Sequence, residues 1–222
     1  MSHTLGIRQA QKQKTRRALL DAALELLEEQ SLSSLGLREV TRAVGVAPTA
    51  FYRHFRSTAD LGVALVEEAL GSLHPTIRTT VSATGDSEER IARAVELIAG
   101  HVDEYPAHVR FIARERHGGV QSVRRAIREQ LARFTGEVGQ ALAEDPASAD
   151  WSEDDRLMLA QLYVDQMLVT ASLFLEALEA EAGARERERE RVTRLATRQM
   201  RLIGLGRRYW LVGPAGGGGS AS

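Results

Sequence analysis

Side chains that can hydrogen-bond to nucleic acid crowd into one short stretch, GVAPTAFYRHF (Gly45–Phe55). Gly45 is suited to ending a preceding helix, and Pro48 is suited to the first turn of a new one. At about 100° per residue, Phe51 and Phe55 share one helix face. The opposite face carries hydroxyl, phenol and guanidinium groups, namely those of Thr49, Tyr52, Arg53 and Arg56.

A helix this short needs an anchor, because isolated helices shorter than about 12 residues are marginal in water. We therefore expect the two phenyl rings to pack into a larger core and the polar ridge to stay exposed. A ridge about 12 Å long fits the major groove of DNA.

The elements around this ridge predict a helix-turn-helix. A short helix over Leu37–Val44 precedes Gly45, with Gly36 as N-cap and Glu39 reaching back to it. A longer helix over about residues 15–30 supports both from behind. A plain helical hairpin would give the same pattern, but it gains nothing from exposing Tyr52 and Arg53.

Charge is uneven along the chain although the net charge is only -1. The first 20 residues carry Lys and Arg but no acidic residue. A basic arm on a neutral protein favours a polyanionic partner, with a solvated tail as the alternative. Candidate phosphate contacts are Lys12, Lys14, Arg16, Arg17 and Arg38.

Several classes of protein are excluded or disfavoured by the sequence. The chain has no cysteine, which excludes disulfides, thiolate catalysis and cysteine zinc sites. The six histidines lie in no HExxH motif, and neither a Gly-rich phosphate loop nor GxSxG occurs, so we expect neither an enzyme nor a metal site. No apolar run approaches the roughly 20 residues of a membrane span, and no signal peptide is present. We expect a cytoplasmic protein without membrane contact.

The rest of the chain predicts helices only, hence an all-α fold. The expected helices are 59–73, 87–105, one starting at Pro106, 121–144, 152–180 and 185–210, with HP and SATGDS as interruptions. The helix at 152–180 is apolar on nearly its whole circumference, so it must be buried all round. With the last helix and their copies across a two-fold axis it predicts a homodimer through a four-helix bundle.

The stretch from Lys14 to Leu65 resembles the DNA-binding domain of the tetracycline-repressor (TetR) family. The resemblance rests on TRRALLDAALELL, LREVTRAVGVAPTAFYRHF and LGVALVEE in that order. It implies a helix-turn-helix domain at residues 1–58 and a helical ligand-binding and dimerisation domain at 59–213. The glycine- and serine-rich ending predicts a flexible tail at 214–222. The resemblance also implies a palindromic double-stranded operator, with half-sites one helical turn or a multiple apart.

A closer similarity is to the unsaturated-fatty-acid repressors that include FabR and DesT. It rests on AQKQKTRRALLDAALELL, SLGLREV, VAPTAFYRHFRSTADLG and FIARERHGG. It implies a repressor of lipid-metabolism genes controlled by a long-chain acyl thioester such as acyl-CoA. A repressor of an efflux or catabolic operon that senses a drug-like or aromatic ligand is the alternative. The chain departs from the family pattern at Ala47, where Ser is common, and at Thr58, where Lys is common.

These considerations assign roles to specific residues. Thr49 and Arg53 are expected to touch base edges and Tyr52 a phosphate, while the resemblance suggests a backbone contact for His54. Arg56 is a candidate to replace the charge of the missing lysine. An acyl chain would need an apolar tunnel, for which the candidate walls are Phe111, Leu131, Phe134, Tyr163, Met167 and Phe174. Core packing is the alternative for each wall residue. Arg114, with other arginines near Gly118–Gly119, is a candidate contact for phosphates of the effector.

Overall fold

The computed structural model describes residues 2–81, 87–145, 148 and 150–210. These residues form ten α-helices and no strand, which confirms the all-α prediction. The helices are α1 (Ser2–Leu26), α2 (Leu37–Val44), α3 (Pro48–Phe51), α4 (Thr58–Gly71), α5 (His74–Val81), α6 (Ser87–Glu104), α7 (Pro106–Glu115), α8 (Gln121–Glu144), α9 (Glu153–Glu179) and α10 (Arg185–Tyr209). The predicted tail at 214–222 and the predicted domain end at 213 lie outside the described residues.

Local capping explains several helix ends. The backbone N–H of Gly36 donates to the Glu39 carboxylate at 2.9 Å, and α2 ends at Gly45, whose φ of 72° is the left-handed conformation. The Ser57 hydroxyl accepts from the N–H of Asp60 at 3.1 Å, at the start of α4. Ser152 does the same for Asp155 at the start of α9, also at 3.1 Å. The ends of α2 and the start of α9 lie where the sequence predicts them, whereas α4 begins at Thr58 instead of residue 59.

Two helices differ from the prediction. α1 begins at Ser2 instead of residue 15 and ends at Leu26 instead of residue 30; its extra N-terminal residues include good helix formers such as Ala, Gln, Lys and Arg. α5 was expected to be a break at HP. Proline is tolerated in the first turn of a helix, where its missing N–H has no intrahelical partner, so the HP pair begins α5 instead of interrupting the chain.

The described residues group into two compact units. The first contains the residues up to Leu73 and Tyr105–Leu131, and the second contains His74–Glu104 and the residues from Ala132 onward. α8 therefore begins in the first unit and continues into the second. The predicted boundary between residues 58 and 59 is a functional division, and it stays a prediction.

Each unit has its own apolar core. The core of the first unit includes Leu19, Ala23, Val40, Phe51, Phe55, Leu61, Leu65, Ile112, Val123 and Ile127. That of the second includes Val95, Val102, Val138, Ala160, Val164, Phe174, Val192, Ala196 and Met200.

Helix α9 was expected to be buried all round, but within the chain it is not. It packs chiefly on α10 and α6, and Leu157, Met158, Leu162 and Val169 stay exposed. Among the described residues it is the one helix long and apolar enough, by length and composition, to cross a membrane. Its polar groups are nevertheless bonded to neighbouring helices, since Gln166 donates to Gln199 at 2.8 Å and Gln161 accepts from Thr135 at 3.1 Å.

Candidate nucleic-acid interface

Helix α3 is held by its two phenylalanines. Phe51 and Phe55 are 0% and 2% exposed, and their ring centroids lie 5.5 Å apart. The helix itself spans four residues, but the N–H of Arg53 donates to Ala50 at 3.3 Å and that of Phe55 donates to Phe51 at 3.0 Å. Helical turns therefore continue to Phe55. The rings anchor the segment in the core of the first unit, as predicted.

The opposite side of this segment is exposed. Tyr52 is 62% exposed, and Thr49, Arg53 and Arg56 are exposed as well. The Tyr52 ring meets Phe51 edge-on, with centroids 5.9 Å apart. The Tyr52 ring therefore packs against Phe51 on one edge, while its phenol group points away from the core.

Ala47 leaves the start of α3 without a side-chain cap. The first-turn position of Pro48 reduces the loss, since its nitrogen carries no hydrogen to be satisfied. At the other end, the N–H of Arg56 donates to the Asp60 carboxylate at 2.9 Å. The Ser57–Asp60 pair therefore fixes the exit of the segment as well as the start of α4.

The arginines of α1 have partners within the protein. The Arg16 guanidinium lies 4.5 Å from the centre of the Phe55 ring, a cation–π contact between α1 and the α3 segment. Arg17 pairs with Asp21 at 3.0 Å and with Glu68 of α4 at 2.8 Å. Glu68 also lies 3.5 Å from His108 of α7. Arg17 is thus part of a charge network that joins three helices.

The remaining predicted phosphate contacts show open side chains. Lys12, Lys14 and Arg38 are all exposed. Together with the exposed ridge of α3 they present only cationic and hydrogen-bonding groups. Such groups bind phosphates by charge and base edges by hydrogen bonds.

His54 lies half-buried beside the ridge, and its Nδ1 is buried without a hydrogen-bond partner among the described residues. Burial, followed by the nearby cations Lys12, Arg16 and Arg53, lowers the pKa of His54 from the usual 6.5. The ring is therefore neutral near pH 7 in the unbound protein.

A clamp at the end of α7 holds the loop that precedes the helix-turn-helix. The Arg114 guanidinium donates to the carbonyl oxygens of Leu27 at 2.6 Å, Gln30 at 2.8 Å and Glu28 at 3.1 Å. These carbonyls follow α1, where a helix leaves acceptors unsatisfied. Arg114, predicted as an effector contact, thus uses its donors to satisfy carbonyl oxygens just after the end of α1.

Glu115 is a buried residue whose structural role the sequence did not indicate. It is 1% exposed, and its Oε1 accepts from the N–H of Leu32 at 2.9 Å. The loop after α7 packs against its carboxylate at Gly118, and the Arg124 guanidinium donates to the carbonyl of Gly118. An acidic residue beside Arg114 in FIARER has the pattern of a solvated helix end, so no sequence signal distinguished it.

The predicted effector contacts fall into both compact units. Phe111, Arg114 and Leu131 belong to the first, and Phe134, Tyr163, Met167 and Phe174 belong to the second. The three phenylalanines are buried, while Leu131, Tyr163 and Met167 are half-buried. Burial raises the pKa of the Tyr163 phenol above 10, against the opposing influence of Arg207 and Arg90.

Among the described residues, no group of three or more His, Asp or Glu side chains is arranged to hold a metal ion.

Comparison with known proteins agrees with this geometry. Residues 19–65 match the model of the bacterial regulatory proteins of the tetR family. This segment contains the last eight residues of α1, all of α2 and α3, and the first part of α4. The N-terminal helices therefore form a TetR-type helix-turn-helix domain.

Solved structures resemble nearly the whole chain. The transcriptional regulator FadR from Bacillus subtilis, in complex with stearoyl-CoA, is 16% identical with a TM-score of 0.66, covering 84% of this chain and 96% of that one. The fatty acid degradation regulator FadR from Bacillus halodurans is 17% identical with a TM-score of 0.66, covering 85% and 93%. Reduced NemR from E. coli is 21% identical with a TM-score of 0.61, covering 85% and 96%. At these identities the similarity establishes the fold, a helix-turn-helix domain followed by a helical domain.

Proposed function

We propose that this protein is a cytoplasmic, DNA-binding transcriptional regulator, and most simply a repressor. The observation that carries the proposal is the exposed ridge of Thr49, Tyr52, Arg53 and Arg56 on a segment pinned by two buried phenyl rings. This ridge lies within the segment that matches the tetR family. Exposing a tyrosine and two arginines together does not stabilise the folded state of the free protein. The arrangement is therefore best explained by a ligand that binds these side chains.

The ridge divides naturally into base and phosphate contacts. Thr49 and Arg53 lie one turn apart and reach into the major groove, where Arg recognises guanine through two parallel hydrogen bonds. Tyr52, His54 and Arg56 contact the backbone beside them. Sequence-independent phosphate contacts come from Lys14, Arg16, Arg17 and Arg38. Arg17 would exchange part of its pairing with Glu68 for a phosphate.

A homodimer would supply the second recognition segment. Leu157, Met158, Leu162 and Val169 of α9 and Leu202 and Leu205 of α10 are exposed, and these two helices pack on each other. An exposed apolar surface of this kind in a soluble protein marks an association site. A two-fold pair bound to one duplex requires a palindromic operator.

For the effector we propose a long-chain acyl thioester, and regulation of genes of lipid metabolism. The support is the fold shared with FadR from Bacillus subtilis, whose structure contains stearoyl-CoA, and the buried aromatic residues of the helical domain. Phe134, Tyr163, Met167 and Phe174 are the candidate walls for the acyl chain. Its binding would shift the population of dimer states that fit the operator.

The DNA contacts can be tested by binding-site selection. With Arg53→Ala we expect relaxed preference at one operator position, at a cost of about 1–3 kcal/mol, because a bidentate base contact is lost. The matched control is Lys14→Ala, which should weaken binding to all sequences alike and reduce the salt dependence by about one unit of slope. If Arg53→Ala selects the same operator with the same stringency as the wild type, the assignment of Arg53 to a base is wrong.

The effector can be tested by titrating the operator complex with oleoyl-CoA and palmitoyl-CoA, with free CoA as the control. If the acyl-CoA compounds weaken or strengthen operator binding and free CoA does not, the result supports an acyl sensor. No response to either acyl-CoA would remove that part of the proposal and leave DNA recognition standing. A response to aromatic or drug-like compounds instead would favour an efflux or catabolic regulator.

A further inference from the structure

The second compact unit contains a buried arginine whose hydrogen-bonding capacity is not met. The Arg207 side chain is 10% exposed. Its Nε and Nη2 are buried and have no hydrogen-bond partner within the described part of the chain. These two nitrogens form one edge of the guanidinium, the edge that binds a carboxylate or phosphate through two parallel N–H···O bonds.

Asp145 is close to this edge without satisfying it. Its Oδ2 lies 3.0 Å from Arg207 Nη2, an ion-pair distance. The N–H of Nη2 does not point at this oxygen, so charge attraction is present while the directed hydrogen bond is missing. Since a buried, unmatched guanidinium is costly, the cluster is poised for a better acceptor.

Arg207 shares the Asp145 carboxylate with a second arginine. Arg90 of α6 also approaches Asp145, with 3.6 Å between Nη2 and Oδ2, so one carboxylate faces two guanidinium groups. The Tyr163 phenol feels both arginines and the aspartate, and burial keeps it in its protonated, hydrogen-bond-donating form.

A further donor belongs to the same turn of chain. Ser148 is 0% exposed, and its N–H donates to the carbonyl of Asp145 at 2.8 Å. Its hydroxyl is buried and has no partner among the described residues. The turn that carries Asp145 therefore holds a second buried group that can donate a hydrogen bond to an anion.

We propose that Arg207, assisted by Arg90 and Tyr163, binds the oxyanion head of a small-molecule effector, a carboxylate or a phosphate group. The incoming oxygens would take the Nε–Nη2 edge and replace Asp145 as its closest partner. An apolar chain attached to the head would extend toward the aromatic residues of the same unit. This inference rests on the proposed function only for the regulatory consequence, because oxyanion binding itself needs no DNA.

Isothermal titration calorimetry of the DNA-free protein tests the site with dodecanoate, its uncharged analogue dodecanol, and inorganic phosphate. We expect dodecanoate to bind at least about tenfold more tightly than dodecanol, the difference expected for one charge-assisted hydrogen-bond pair. Competition by inorganic phosphate would identify phosphate as the preferred head, and its absence would identify carboxylate. Equal binding of dodecanoate and dodecanol, or no binding of any of the three probes, overturns the proposal.

Variants locate the effect. Arg207→Lys keeps the charge but removes the two-pronged edge, so the preference for dodecanoate over dodecanol should fall well below that of the wild type. Arg201→Lys is the matched control on the same helix, because Arg201 pairs with Glu88 at the surface, and it should bind like the wild type. If Arg207→Lys keeps the full wild-type preference for dodecanoate over dodecanol, the assignment of the oxyanion to Arg207 is wrong.

A second variant guards against a folding defect in Arg207→Lys. Asp145→Asn removes the competing negative charge, so dodecanoate should bind more tightly than to the wild type. Unchanged or weaker binding in Asp145→Asn contradicts the proposal. Operator selection is run as a separate experiment. If the protein binds dodecanoate or phosphate but selects no DNA sequence, the proposed function is wrong and the oxyanion site still stands.

Discussion

At the scale of single residues, the exposure of the ridge depends on local helix geometry, whereas the ionisation of His54 depends on residues from two segments. Tyr52 and Arg53 are presented by the local helix and need only the anchor of two phenyl rings. His54 has its ionisation determined by burial and by cations from two segments, Lys12 and Arg16 of α1 and Arg53 beside it. DNA phosphates would neutralise those cations, which makes His54 a sensitive reporter of the complex.

The pH dependence of operator binding follows from this environment. In the free protein the pKa of His54 is lowered, so its neutral form contributes stability above about pH 6.5 that is lost as the pH falls through the folded-state pKa. Phosphates raise the pKa again in the complex, so binding takes up a proton. We therefore expect operator affinity to rise as the pH is lowered from about 8 toward 6, measured by fluorescence anisotropy.

The comparison variant is His54→Gln, which keeps a polar side chain but cannot titrate. Its operator affinity should change less with pH than that of the wild type. Identical pH profiles for the two proteins would show that His54 does not take up the proton.

At the scale of elements, the end of α7 determines how the loop after α1 is held. Arg114 caps three carbonyl oxygens and Glu115 accepts the N–H of Leu32. The bonded residues are more than 80 positions apart in sequence. Helix α7 is thus bonded directly to the loop that leads into α2 and α3.

Gly118 is where this clamp is most sensitive to substitution. A Cβ at Gly118 would lie 2.1 Å from Oε2 and 2.9 Å from Cδ of Glu115. The buried carboxylate would have to move and give up its bond to Leu32, so we expect Gly118→Ala to destabilise the protein by about 1–3 kcal/mol. Urea unfolding at fixed protein concentration measures the change.

Gly100→Ala is the matched control for this substitution. Gly100 lies inside α6, and an added Cβ there would meet nothing within 4 Å. Alanine is the better helix former, so this variant should gain about 0.5–1 kcal/mol. If Gly118→Ala shows a similar gain, the close packing of the loop on Glu115 is not maintained in solution.

At the scale of the whole molecule, the apolar surface of α9 and α10 is the feature that a single chain leaves unexplained. Leu202 is 70% exposed and Leu162 is 48% exposed. Water contact with so many aliphatic side chains is unfavourable, and a second copy would remove it. The regulator we propose also requires this second copy, because one recognition segment cannot read both halves of a palindrome.

Leu202→Glu tests the dimer directly. A charge at this position should weaken self-association by roughly 2–4 kcal/mol, as expected for a central interface residue, and operator affinity should fall with it. Light scattering coupled to size-exclusion chromatography gives the mass. Leu97→Glu changes an exposed leucine of α6 and should remain dimeric; a dimeric Leu202→Glu protein would place the interface elsewhere.

The sequence alone determined the features whose causes lie within a few residues. The span of α2, the break at Gly45, the start of α9 after Ser152, and the burial of Phe51 opposite an exposed Tyr52 follow from local periodicity and capping, and all are observed. α5 was missed because an HP pair fits both a helix start and a break.

Only the tertiary structure decided which distant polar groups meet. It gave the donors of Arg114 to the end of α1, paired Arg17 with Glu68, buried Glu115 against Leu32 and left Arg207 short of a partner. The physical reason is that the sequence around a charged residue does not distinguish a solvated side chain from a buried one. Its role depends on which partner the packing of other helices brings within about 3 Å.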